Sequence, residues 1–302
     1  MSTATSTPFP LDPNRKANYF HLYADVIGFG ILAGSSVAFI AVYAARLGAT
    51  AIQLSLLTAG PAVINLLFSL PAGQWLEGRS LTKVSFQAAA LSRLGYLLLI
   101  PLPLLLPNLT QVWIIILITL IMSIPGTVLS IAFNAILADL IPPDDRATVV
   151  GRRSALTSLA MTLAVLLSGQ LLDILNYPVN YVIVFSLGTI GGFFSTTHLK
   201  KLRVSYTNPP HPAQLPDNPV RRGRIRLLDS LHLPAGLRSL PHRHSAPLLR
   251  LDVLRGSFGV FLTAYLFFYT CQFVPVAIAP LYIVNNLEYT DGIISLGNAL
   301  FF

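Results

Sequence analysis

Long apolar runs recur along the chain, separated by short polar interruptions. They lie near Tyr19 to Ala45, Ala51 to Trp75, Phe86 to Leu106, Val112 to Ala138, Ser154 to Leu172, Val179 to Thr197 and Phe258 to Val284. Each is close to or above the ~20 apolar residues a helix needs to cross a bilayer. An eighth run begins around Gly292 and reaches Phe302 after roughly half of that length, so the chain reads as a fragment of a longer protein. Stretches such as WIIILITLIMSI and YVIVFSLGTI are apolar on every face. That is the pattern of a lipid-embedded helix, whereas a barrel strand would alternate apolar and polar positions. The pattern predicts an all-α integral membrane protein, with a six-helix transmembrane domain at 19–198 and the incomplete start of a second at 257–302. A disordered tail at 1–18 and a linker at 199–256 complete the layout.

Composition agrees, and excludes a soluble globular domain: 54% of residues are hydrophobic, 11% are charged and the mean hydropathy is +0.66. The opening MSTATSTPFPLDP lacks the cationic start and short apolar core of a cleavable signal peptide. Lys and Arg accumulate in cytoplasmic loops. Counted against the expected spans, 19 of the 20 basic residues fall on one side, in the N-terminal flank, the loops after the second and fourth helices and the long linker; only Arg46 falls on the other. Arg93 counts here with the loop after the second helix, and Arg152 and Arg153 with the loop after the fourth. The N terminus and the linker are therefore expected in the cytoplasm, and the protein in the cell membrane. The net charge of +8 needs no nucleic acid to account for it. The linker is Pro-rich and then Arg-rich, as suits a solvated segment held near anionic lipid. His242 and His244 within it have no second ligand pair and read as loop residues.

An internal repeat follows the linker. A shift of 240 positions aligns LGATAIQLSLLTA, Leu47 to Ala59, with LEYTDGIISLGNA, Leu287 to Ala299, pairing Thr50 with Thr290 and Ser55 with Ser295. In each copy the segment joins the first helix of a set to the second, where a parallel repeat of six-helix halves would put it.

Between the second and third spans stands a polar island, PAGQWLEGRSLTKV. With Gly73 and Glu77 at its glycine and acidic positions and Arg79 and Lys83 as its bases, it resembles the signature turn of the major facilitator superfamily. There, Asp is usual at the position of Glu77 and a base at that of Gly78. The end of the fourth span, NAILADLIPPDDRATVVGRR, is also similar to that family, with Asp139 at the helix end and Arg146 in the turn. The resemblance implies two six-helix halves that rock about a central cavity. Gly73, Glu77, Arg79, Lys83, Asp139 and Arg146 would then form a cytoplasmic latch, made and broken as the halves move. The alternative is that these are ordinary helix-flanking charges.

Asp25 lies about six residues inside the first span, and a carboxylate there is costly enough to be a functional candidate. The run Asp25-Val-Ile-Gly28-Phe-Gly30 resembles the opening of the first helix in drug/proton antiporters of the same superfamily. That resemblance implies a carboxylate that carries a coupling proton. The structural alternative pairs Asp25 with Arg15 or Lys16, or with a neighbouring helix. The Gly-Pro-rich fifth helix of those antiporters has no counterpart here.

The remaining polar residues in spans are neutral. Ser35, Ser36, Asn65, Thr127, Ser130, Asn134 and Gln272 are candidates for a cavity suited to a small neutral or amphiphilic solute. Gly30, Gly34 and the break SIPGTV read as packing and bending positions. Cys271, the sole cysteine, reads as a buried inert thiol. No metal-ligand or nucleophile motif occurs and no cofactor is called for, which argues against an intramembrane enzyme. The expected function is secondary active transport by alternating access, with proton-coupled efflux as its specific form and the bilayer, a small molecule and protons as partners. A non-transporting membrane sensor on the same scaffold is the alternative.

Overall fold

The structure is a computed structural model of the chain and describes residues 14–203 and 256–301. These are helical, with no strand among the described residues. Six helices are long and apolar enough to cross a membrane: α1 (Arg15–Arg46), α2 (Ala51–Leu76), α3 (Leu81–Leu105), α4 (Asn108–Leu140), α5 (Pro143–Ile174) and α6 (Val179–Lys200). Helices α7 (Ser257–Asn285) and α8 (Asp291–Phe301) follow. All seven expected runs and the eighth part-run are present as helices. The described residues fall into two compact units, one holding 14–203 with 273–301 and the other 256–272.

Helix ends depart most from expectation. Arg15 to Asn18 form the first turn of α1, and Asn18 is buried, its side chain exchanging hydrogen bonds with the backbone of Arg203 at 2.9 and 3.0 Å. Residues 1–13 of the expected tail and 204–255 of the expected linker, with His242 and His244, lie outside the described residues. Helix α5 begins at Pro143 rather than near Ser154. Its first turn carries Pro143, which needs no amide partner there, and Asp144 and Asp145, whose charges suit a helix N terminus.

In the larger unit α1 packs on both α5 and α6, α4 packs on α2 and α3, and α3 also meets α6. Lipid is as apolar as a leucine side chain, so contact between spans depends on close approach rather than on hydrophobic transfer. The α1 glycines supply it. A Cβ on Gly28 would meet the Gly191 carbonyl and Ser195 amide of α6 at 2.7 Å, and one on Gly30 would meet Ala160 Cβ of α5 at 2.6 Å. Gly34 is pressed on Met161 and Ala164 in the same way, as expected of these glycines. Near this contact α1 widens into a π turn over Ala33–Val37, and Ser35 Oγ donates back to the Ile31 carbonyl at 2.6 Å.

Helix α8 packs on α5. The repeat is visible in how the second helix of each set begins. Thr50 Oγ1 accepts from the Gln53 amide at 3.3 Å ahead of α2, and Thr290 Oγ1 accepts from the Ile293 amide at 3.4 Å ahead of α8. Ala51 and Asp291, the first residues of those helices, are themselves 240 positions apart. The smaller unit is the first part of α7, with the rings of Tyr265 and Tyr269 4.4 Å apart. Cys271 there is exposed, not buried as expected, because the apolar stretch around it packs on nothing within its own unit.

Candidate functional site

A cavity of about 890 Å³ opens among α1 to α6 of the larger unit. Its walls are mostly apolar, with Phe29, Leu57, Met122, Leu129 and Phe133 among them, and its charged lining residues are Asp25, Arg93 and Arg153. The helix periodicity of α1 places Asp25 here: Leu22, Val26 and Gly28 are buried with it, and Phe20 on another face is exposed.

Asp25 accepts a hydrogen bond from Ser195 Oγ of α6 at 2.6 Å through Oδ1. Its Oδ2 lies 3.9 Å from the Arg153 guanidinium of α5. Ser195 Oγ in turn accepts from Arg93 Nη2 of α3 at 3.0 Å. Of the partners expected for Asp25, a neighbouring helix supplies the hydrogen bond, through Ser195, and Arg15 pairs instead with Asp145 at the start of α5. Three helices thus converge on one carboxylate, two of them through arginine.

Those arginines correct the positive-charge map. Arg93 is only 4% exposed, in the middle of α3, and Arg153 is well inside α5; neither is a loop residue. A guanidinium keeps its proton even when buried, so both enter the site as fixed cations. Arg153 also lies 4.6 Å over the Phe133 ring, a cation–π contact within the cavity wall. Arg93 could have been read from the sequence, since it falls inside the Phe86 to Leu106 run. Arg153 could not without the true start of α5, and Ser195 carries no signal of its own.

Of the neutral cavity candidates, Asn65, Thr127 and Ser130 line the cavity. Thr127 hydrogen-bonds Asn65 across α2 and α4 and donates to the Ser123 carbonyl at 2.8 Å. Ser35 and Ser36 are fully buried against Gly188 of α6 and do not line it; Asn134 is exposed and does not line it either. Gln272 is exposed in the smaller unit. Gly126, in the break SIPGTV, lines the cavity, and a Cβ there would meet nothing within 4 Å, so packing does not require this glycine.

The latch candidates Glu77, Arg79, Lys83, Asp139 and Arg146 are exposed, with Gly73 half-buried. Arg79 lies 4.0 Å over the Trp75 ring and Arg146 donates to the Ala138 carbonyl at 3.0 Å. The ion pairs among the described residues are Arg15 with Asp145, Arg46 with Asp291 and Arg153 with Asp25, so the structure joins no two latch candidates.

The sequence profile of the Major Facilitator Superfamily matches residues 26–302, most of the chain. The chain belongs to that superfamily. It is a multi-pass membrane protein of a transporter family, and its α1 to α6 bundle is the N-terminal half that membership implies. No curated protein matches the chain.

Proposed function

We propose that the protein moves a small amphiphilic solute by alternating access, driven by a proton gradient through Asp25. The observation that carries this reading is the placement of Asp25, a carboxylate within a membrane span that faces the cavity and is joined to α3, α5 and α6 through Ser195, Arg93 and Arg153. A proton taken up by Asp25 cancels its attraction to Arg153 and loosens α1 from α5. A carboxylate that is wet in one state and shielded in the other binds that proton differently in each. The resemblance of the Asp25 to Gly30 run to drug/proton antiporters supports efflux as the direction. The excess of basic residues in the N-terminal flank, the loops after the second and fourth helices and the linker supports a cytoplasmic N terminus in the cell membrane. Gly73, Glu77, Arg79, Lys83, Asp139 and Arg146 are proposed as the latch on that face.

Asp25→Asn tests the coupling, because it keeps shape and hydrogen bonding while removing the titration. Gradient-driven flux is expected to fall at least ~100-fold with folding intact, an effect of the size expected when an essential proton carrier is lost, and solute exchange without net proton movement should persist. Unchanged gradient-driven flux in a normally folded variant removes Asp25 from the mechanism.

A further inference from the structure

The charges lining the cavity do not balance. Two guanidinium groups face one carboxylate, and no other charged residue lines the space. Arg153 has Asp25 within 4 Å, but Arg93 has no ion-pair partner among the described residues; its donors reach Ser195 Oγ at 3.0 Å and, at 3.4 Å, the Ala89 carbonyl and Ser92 Oγ. The Nε atoms of both arginines are buried without any hydrogen-bond partner. An uncompensated cation in a span is expensive, and arginine cannot relieve the cost by losing its proton. The missing partner is an acceptor carrying negative charge.

The cavity says what else that acceptor carries. Its volume of about 890 Å³ is within the roughly 300–1,000 Å³ range of pockets that hold drug-sized molecules. Phe29, Met122, Leu129 and Phe133 give it apolar walls. We propose that the solute is an organic monoanion, its carboxylate or similar group held by the Arg93 and Arg153 guanidinium groups and its apolar body lying against those walls. With Asp25 ionised, one negative charge brings the site to neutrality, which favours a monoanion over a neutral or cationic molecule. Guanidinium forks match the two oxygens of a carboxylate, so the preference is geometric as well as electrostatic. The assignment rests on the reading of this cavity as the solute site.

The test is binding to the purified full chain in detergent, by calorimetry, using matched carboxylate and amide pairs of graded size: benzoate and benzamide, 1-naphthoate and 1-naphthamide, 4-phenylbutyrate and its amide. At least one carboxylate should bind about tenfold or more tightly than its amide, a factor that one charge-assisted contact readily supplies. Arg93→Gln and Arg153→Gln should each bring the ratio of carboxylate to amide affinity to about one, and Arg93→Lys should retain part of the preference. If neither glutamine variant folds, the wild-type preference decides alone. Equal binding of carboxylate and amide in every pair overturns the proposal. So does a phospholipid that copurifies at one per chain, is lost in the arginine variants and is not displaced by any carboxylate, because the anion is then a lipid headgroup. Carboxylate preference without gradient-driven flux would retain the site and refute the transport reading; proton-coupled flux without that preference would do the reverse.

Discussion

The two ends of the larger unit use their charged side chains differently. At the Arg46 end, Arg46 reaches Asp291 at 2.9 Å and the Tyr289 carbonyl at 2.8 Å. Tyr181 donates to the same carboxylate at 3.5 Å, and Asp173 accepts from the Gly292 amide at 3.0 Å. Asp291 and Ser295 are buried there, with Ser295 pressed against Gly169. At the other end Arg15 pairs with Asp145, while Glu77, Arg79, Lys83, Asp139 and Arg146 are exposed and make no ion pair among the described residues. The neighbour makes the difference. Helix α8 packs on α5 at the first end and buries Asp291, while the latch candidates at the other end are exposed. Each end thus has one ion pair on α5 or its neighbour α8, and only at the Arg46 end does a further helix bury the carboxylate.

The largest break in this contrast should come from packing. In Gly169→Leu the new side chain meets Ser295 and the Asp291 carbonyl, which a Cβ alone would approach to 2.9 Å, so α8 must leave α5. With the exposed Cys271 replaced by Ser, thiol labelling of a Ser295→Cys reporter should accelerate on the order of 100-fold, the factor that corresponds to an opening cost lowered by a few kcal/mol. An unchanged labelling rate would show that the α5–α8 contact does not close this end.

A smaller effect is expected from the ion pair. Asp291 is buried but the Arg46 side chain is 32% exposed, so truncating the pair with Asp291→Ala should cost about 1–2 kcal/mol, between the values for exposed and buried pairs. Labelling at the reporter should rise roughly tenfold, in step with that cost. The exchanged pair Arg46→Asp with Asp291→Arg should recover part of the loss; no recovery would mean that burial alone holds the end.

The smallest effect belongs to the opposite end. Arg79→Ala loses only the contact over Trp75, and its effect on thermal stability should stay within about 0.5 kcal/mol. A loss of several kcal/mol would mean that the charges of this end already carry a contact in this state. If they act as a latch in the opposite state, Arg79→Ala should instead change transport rates.

The spans were legible because a bilayer imposes a length and an apolar surface that no other arrangement of these residues satisfies. The helix ends were less so. The first turns of α5 are polar, and apolar content alone assigns them to a loop, although Pro143, Asp144 and Asp145 carry the chemistry of a helix start. That displacement concealed Arg153. Arg93 stood within an apolar run yet was counted with the loop beside it, since a basic residue near a span end is more often a flank. The latch candidates were identified by position along the chain, but their lack of partners depends on what packs beside them.

The sequence by itself determined the membrane, the helices, the repeat that pairs Thr50 with Thr290, and the choice of Asp25 as a costly charge. These follow from local properties: hydropathy over a span, the recurrence of a short segment, and a carboxylate within an apolar run. Only the tertiary structure decided what Asp25 faces. Arg93, Arg153 and Ser195 are far from it along the chain, and they meet it because the α1 glycines let α5 and α6 approach closely and α6 draws in α3. A charge is read from one residue, but whether it is balanced depends on every group that packing places within a few ångströms of it.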